Sequence, residues 1–218
     1  THPFYDLHTH GFVRAATSTP QVRTADVWFN RDAIIEEAKR AHAAHVDLLV
    51  YPELCVSSYA IDDLLMQSAL LEACEAAVTE IVAAGAGLSP VLLIGAPLRK
   101  AGRLYNCALA IADGVLLGAV PKSYLPNYRE FYEKRWFASG INIAGEYIRV
   151  GAVEVPFGVD LIFASNQLPG FKLAIEICED FWAPNPPSTA AALAGATILA
   201  NLSASNIVIG KADERHLL

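Results

Sequence analysis

Residues 171–182 read FKLAIEICEDFW: an apolar run, then Cys178, then two acids and two aromatics. A run of that length and composition is a buried strand, and the abrupt change of character after Ile177 places Cys178 at its end, where the chain turns sharply. Such a turn exposes a side chain and leaves the next backbone N–H, that of Glu179, aimed at an oxyanion forming beside the sulfur. A thiol with an ordinary pKa of about 8.5 is mostly protonated at neutral pH, so attack on an amide needs a base or a cation nearby. The reading of the chain therefore turns on which other strand ends carry one.

Two upstream strands do. Glu53 follows the apolar run DLLVYP (47–52), and Lys122 follows VLLGAVP (115–121). Taken singly, each has an ordinary reading: Glu53 as a surface carboxylate, Lys122 as a solvated loop lysine, Cys178 as a small buried packing residue. Together they place a base, a cation and a nucleophile at the ends of three apolar strands. The base would take the thiol proton and the cation would stabilise the developing oxyanion.

Around these strands the pattern alternates. Strands are predicted at Phe12 to Thr17 and Asp47 to Tyr51, separated by a helix from Arg31 to His45 with Asn30 as N-cap. A second helix is predicted from Ser68 to Ala84, where Leu70, Leu71, Cys74, Ala77 and Val78 form one apolar face. Next come a strand from Val91 to Ala96 and a hairpin, Arg103 to Ala112 and Val115 to Val120, about the turn Asp113-Gly114. The polar and aromatic stretch from Lys122 to Gly140 is too irregular for a strand and too long for a simple connection, so it reads as a functional loop. Further strands are expected at Tyr147 to Val155, Val159 to Ala164, Phe171 to Ile177 and Ala196 to Leu202. A Pro-rich stretch covers Trp182 to Pro187, and helices are expected from Ser188 to Ala194 and from Lys211 to Leu218. Strands apolar on both faces and interleaved with helices predict an α/β layered domain.

The chain has 218 residues, 54% of them hydrophobic and 18% charged, enough to bury a substantial core and against disorder. Its net charge of -7 and the absence of any Lys/Arg run argue against a nucleic-acid partner and for small-molecule chemistry. No apolar run is long enough to span a bilayer and the segment Thr1 to His10 lacks the h-region of a signal peptide, so a cytoplasmic, membrane-free protein is expected. Cys55, Cys74, Cys107 and Cys178 form no CxxC pair, which sets aside a zinc knuckle or redox dithiol.

The stretches YPELCVSSYAIDDLL (51–65), IGAPL (94–98), LYNCALAI (104–111), PKSYLPNYREFYEKRWF (121–137), EICEDFW (176–182), PPS (186–188), LAGATILANLSAS (193–205) and HGFVRAAT (10–17) resemble the nitrilase, or carbon-nitrogen hydrolase, superfamily. More narrowly, they resemble the N-terminal amidase domains of the glutamine-dependent NAD synthetase family. The resemblance runs over essentially the whole chain. It implies a nitrilase-like α-β-β-α sandwich in which Cys178 is the nucleophile, Glu53 the general base, Lys122 the oxyanion stabiliser and Glu133 an auxiliary carboxylate. By the same resemblance Tyr59, Tyr128, Glu179, Trp182 and Ser205 would line a pocket for L-glutamine, releasing glutamate and ammonia through a thioester. The ammonia would serve an ATP- and Mg-using synthetase domain, marked by an SGGxDS motif, that amidates deamido-NAD. Residues 1–218 would then be an amidase domain incomplete at its C-terminus, with no cofactor or metal of its own, joined to the synthetase domain in a homo-oligomer.

The sequence departs from the family pattern at two positions. Lys211 stands where the pattern has arginine, whose planar fork grips a carboxylate in a way that lysine cannot. Trp182 stands where it has phenylalanine. Three other readings compete: a free-standing amidase acting on another small carboxamide, a noncatalytic interaction module, and a metal-dependent amidohydrolase. The last draws on the His8-Thr9-His10 pair, but His42, His45 and His216 fall on predicted helices rather than on the strand ends such a site needs.

Overall fold

The computed structural model describes residues 2–217. Its strands, in chain order, are β1 (Ala15–Thr17), β2 (Leu48–Val50), β3 (Val91–Lys100), β4 (Arg103–Ala112), β5 (Val115–Pro121), β6 (Glu146–Val150), β7 (Val153–Phe157), β8 (Phe163–Ala164), β9 (Lys172–Ile177) and β10 (Ile198–Leu202). The α-helices are α1 (Val27–Ala43), α2 (Ser68–Ala84), α3 (Pro187–Leu193) and α4 (Lys211–Leu217). Seven strands form one sheet in the order β1-β2-β3-β4-β5-β7-β6, and three form a second, β10-β9-β8.

The alternation along β4 shows how the layers arise. Cys107, Leu109 and Ile111 face α1 and α2, in a cluster with Ile34, Ala38, Cys74, Val78 and Ile81. Ala108 and Ala110 face the other way, with Leu48, Leu93 and Val120, onto Leu173, Ile175, Ile177, Ala200 and Leu202 of the second sheet. A period of two thus buries both faces of the same strand. On its far side the second sheet meets α3, where Pro187, Ser188 and Ala191 lie over Ala174, Glu176 and Leu199. The result is the α-β-β-α order that the family resemblance implies, with a thin outer layer: α3 buries none of its residues.

Several boundaries moved for identifiable reasons. The first helix begins at Val27 because Asp26, not Asn30, caps it by accepting the Phe29 N–H. Asn30 is inside the helix and fully buried, accepting from the Arg23 N–H and donating to the Arg23 and Val56 carbonyls. Residues 12–14 are not strand: Gly11 takes a left-handed conformation, the Phe12 N–H returns to Leu7, and the Arg14 N–H goes to Asp47. The run from Tyr147 to Val155 breaks at Gly151 into the β6–β7 hairpin. Of Val159 to Ala164 only the last two residues pair, because the Val159 N–H bonds Ile143 instead of a strand. The helix from Ser68 to Ala84 and the Asp113-Gly114 turn, with φ of 46° and 74°, stand where the sequence places them. The predicted end of the last helix, Leu218, lies outside the described residues, as does Thr1.

Candidate active site

The ends of β2, β5 and β9 converge on one buried polar cluster. After β2 the chain runs through Tyr51 and Pro52 into a tight corner at Glu53-Leu54, with Leu54 at a φ of 52°. That corner rests directly on β3. A Cβ on Gly95 would lie 2.2 Å from the Leu54 nitrogen and 2.9 Å from the Glu53 carbonyl carbon, so glycine is what lets the two backbones meet. Lys122 leaves β5 with its N–H bonded to the Asn106 carbonyl at 2.8 Å. Cys178 leaves β9 with a φ of 46° and opens a 3-10 helix over Cys178–Trp182. This is the sharp turn that the sequence predicts, and Glu179 sits in its first turn, where a helix leaves N–H groups without internal partners.

Lys122 is the hub. Its Nζ donates to Glu53 Oε1 at 2.6 Å and to Glu133 Oε1 at 2.7 Å, and none of the three side chains is more than 1% exposed. Asn106 Nδ2 donates to Glu53 Oε1 at 2.7 Å, the Ala204 N–H to Glu53 Oε2 at 3.1 Å, and the Tyr59 hydroxyl to Glu133 Oε1 at 2.6 Å. Burial opposes the charge on Lys122, but the two carboxylates outweigh it and hold its pKa above the ordinary lysine value. Burial raises Glu133 to about 7, with Lys122 opposing and the Glu53 carboxylate adding to the rise. Burial also pushes the Cys178 thiol up to about 12, reinforced by the Glu53 carboxylate and opposed by Lys122 and the Ala204 N–H. A thiol held this way is neutral at rest and can attack only as its proton is taken, which the adjoining carboxylate can do.

Asp180 locks the elbow to the Lys122 segment. It is 1% exposed and accepts the N–H groups of Ile177 at 3.0 Å, Ser123 at 3.1 Å and Tyr124 at 2.7 Å. Asn106, Asp180 and the Ala204 N–H were not singled out from the sequence. Asn106 had a signal, a lone amide inside the apolar strand LYNCALAI, since a buried polar group needs a partner. A backbone N–H has none.

A cavity of about 380 Å³ opens above Cys178. Tyr128, Glu179, Trp182, Ser205 and Lys211 line it, and Tyr128 donates its hydroxyl to Glu179 at 2.9 Å. Lys211 Nζ bonds Ser205 Oγ at 2.6 Å and Asn206 Oδ1 at 2.7 Å, and lies 5.5 Å from the centre of the Trp182 ring. Carboxylates (Glu130, Glu179, Glu214) and cations (Arg129, Lys211) both line it, which suits a zwitterionic amino acid. Tyr59 is not among the cavity's lining residues: its hydroxyl is committed to Glu133 beneath the cavity.

His8 and His10 diverge. His8 Nε2 meets Asp47 Oδ1 at 3.0 Å and His10 Nε2 meets the Phe4 carbonyl at 2.8 Å, and among the described residues no group of three or more His, Cys, Asp or Glu is placed to hold a metal. His42 and His216 lie on α1 and α4, whereas His45 falls just past the end of α1 with a φ of 54°. No described helix is long and apolar enough to cross a membrane.

An α-β-β-α sandwich with a cysteine, a lysine and a carboxylate meeting at converging strand ends is the arrangement of nitrilase-type amidohydrolases. The chain belongs to the carbon-nitrogen hydrolase family, whose model matches residues 14–216. It is 51% identical to the glutamine-dependent NAD(+) synthetase of Mycobacterium tuberculosis over 215 residues, 99% of this chain and 32% of that protein. Among solved structures it resembles a glutamine-dependent NAD(+) synthetase from Cytophaga hutchinsonii, with a TM-score of 0.81 and 28% identity, over 94% of this chain and 32% of that one. An amidase from Nesterenkonia sp. shares the fold, with a TM-score of 0.70 at 20% identity, over 92% of this chain and 68% of that one. The chain thus spans about a third of the length of the synthetases it matches.

Proposed function

We propose that this domain hydrolyses the side-chain amide of L-glutamine and is the amidase part of a glutamine-dependent NAD synthetase. The observation that carries the reading is the 51% identity to the mycobacterial synthetase along 99% of the chain, with Glu53, Lys122 and Cys178 meeting beneath one cavity. Cys178 Sγ attacks the carboxamide carbon while Glu53 accepts the thiol proton. Lys122 Nζ and the Glu179 N–H stabilise the oxyanion, each contributing on the order of 3 kcal/mol in a water-poor site. The C–N bond breaks as Glu53 returns its proton to the nitrogen, releasing ammonia and leaving a thioester on Cys178. Glu53 then takes a proton from water, the resulting hydroxide opens the thioester, and glutamate leaves as the thiol is restored. Glu133 holds the Lys122 ammonium from its other side.

At the cavity Glu179 and Tyr128 would receive the substrate ammonium, and Lys211, Ser205 and Trp182 its carboxylate. In this reading residues 1–218 form an amidase domain within a longer, cytoplasmic, homo-oligomeric polypeptide. Its synthetase domain uses ATP and Mg to amidate deamido-NAD with the ammonia released here.

The test is to treat the intact protein with a diazoketone analogue of glutamine and locate the adduct by mass spectrometry. An adduct on Cys178 alone, blocked by glutamine and absent from Cys178→Ala, is expected. A folded protein that gives no adduct, or one modified at Cys55, Cys74 or Cys107, would show the reading to be wrong.

A further inference from the structure

Asn106 lies on β4, on the same face as Ala108 and Ala110, which otherwise packs against the second sheet. It is 1% exposed, and among the described residues its amide oxygen Oδ1 is buried without a partner. An unpaired buried acceptor is costly, and an aliphatic residue at this strand position would avoid the cost altogether. The residue makes two connections, of which only the second needs the amide. Its backbone carbonyl holds the Lys122 N–H at 2.8 Å, and its Nδ2 holds Glu53 Oε1 at 2.7 Å. One residue thereby sets the spacing between the cation and the carboxylate.

The two oxygens of Glu53 are consequently unlike. Oε1 accepts from both Asn106 Nδ2 and Lys122 Nζ, whereas Oε2 accepts a single N–H, that of Ala204. The Ala204 N–H that holds Oε2 also acts on the Cys178 thiol, favouring its thiolate, so Oε2 and the sulfur share one side of the carboxylate. Lys122 cannot hold Oε1 alone through a reaction, because its ammonium is shared with Glu133 and has to follow the oxyanion as charge develops. We infer that Asn106 is a positioning residue for amide hydrolysis: it keeps Glu53 Oε1 occupied, so that Oε2 is the oxygen that takes the Cys178 proton.

This rests on the reading of Glu53 as the base, so the test needs a readout independent of glutamine. The groups acting on Glu53 are Lys122 after β5, Glu133 in its 3-10 turn, Tyr59 before α2 and Cys178 after β9. Asn106→Leu alters none of their charges and removes only the donor, which favours the protonated acid over the carboxylate. The pH profile of Cys178 alkylation by iodoacetamide, with the adduct located by mass spectrometry in the intact protein, reads that change directly. In Asn106→Leu the acid limb is expected to rise by about one pH unit. The kcat for glutamine is expected to fall about 10²-fold, with KM within about twofold of the parent.

A folded Asn106→Leu whose acid limb stays in place would overturn the inference and leave the hydrogen bond a purely structural one. If Asn106→Leu does not fold, the smaller Asn106→Ala is read in the same way, and loss of folding in both variants would likewise make Asn106 structural and sink the inference. A parent protein that shows the acid limb yet leaves glutamine intact would overturn the substrate assignment while the alkylation profile still decides the role of Asn106. A parent profile with no acid limb would remove Glu53 as base, and this inference with it.

Discussion

The floor and the mouth of the cavity are built from different materials. The floor consists of Glu53, Lys122, Glu133 and Asn106, all at or below 2% exposure and joined by hydrogen bonds of 2.6–2.7 Å between residues from four separate segments. The mouth is made by Tyr128, Glu179, Trp182, Ser205 and Lys211, on the segment after β5, on the elbow, and on the chain between β10 and the start of α4, where α4 buries no residue. Charges held without water act strongly on one another, whereas partly solvated ones are weakened by it. Chemistry that must work on any bound amide therefore belongs to the floor, and the choice of which amide binds belongs to the mouth. Substitutions should divide the same way: floor changes should act on kcat and stability, mouth changes on KM.

The largest expected effect is at Cys178, the proposed nucleophile. Cys178→Ala should lower glutamine turnover by about 10⁴-fold or more, with its unfolding midpoint nearly unchanged, since a small buried group is replaced by a slightly smaller one. Retained turnover in an ammonia-release assay would show that some other group attacks. Lys122→Ala should remove activity and also destabilise the fold by about 3–5 kcal/mol, because it strands Glu53 and Glu133 as buried, unpaired carboxylates. Urea unfolding measures this, and a loss below about 1 kcal/mol would mean that water reaches the floor.

A smaller effect should appear as a pH dependence at Glu133. Burial raises its carboxyl from 4.5 to about 7 in the folded protein, so between those values the folded state keeps a proton that the unfolded chain has released. Its contribution is therefore full below about pH 4.5 and is lost as pH rises through about 7, amounting to on the order of 1–3 kcal/mol. Comparing urea midpoints of the parent and Glu133→Gln at about pH 5 and about pH 8 isolates it, with the parent losing ground to the variant at the higher pH. Equal differences at both pH values would mean that Glu133 is ionised throughout.

At the mouth, Lys211→Met should raise KM for glutamine about tenfold with kcat within about threefold, through loss of a partly screened cation. A kcat effect as large as the KM effect would blur the division between floor and mouth. Tyr128→Phe, which removes one hydroxyl from Glu179, should be smallest, about two- to fivefold in KM.

The same division governs what could be read in advance. The strand ends carrying Glu53, Lys122 and Cys178 are visible because each ends an apolar run on an abrupt polar residue, and the layered fold is visible in strands apolar on both faces. Asp26 and Asn30 are both good capping residues for the first helix, and only the burial of Asn30 against the Val56 carbonyl selects Asp26 as the cap. Tyr59 shows the limit for the site. Its hydroxyl bonds Glu133, 74 residues away, a partner which no local pattern specifies.

What the sequence by itself determined was most of the order of strands and helices and the residues that end the strands carrying Glu53, Lys122 and Cys178, because periodicity and turn chemistry act over a few neighbours. Tertiary structure decided which of those residues face one another, and with that the state of each proton. Glu53 meets Asn106, Lys122 and the Ala204 N–H across separations of 53, 69 and 151 residues. Burial, which raises the Cys178 thiol and Glu133 together, exists only once the chain has folded around them.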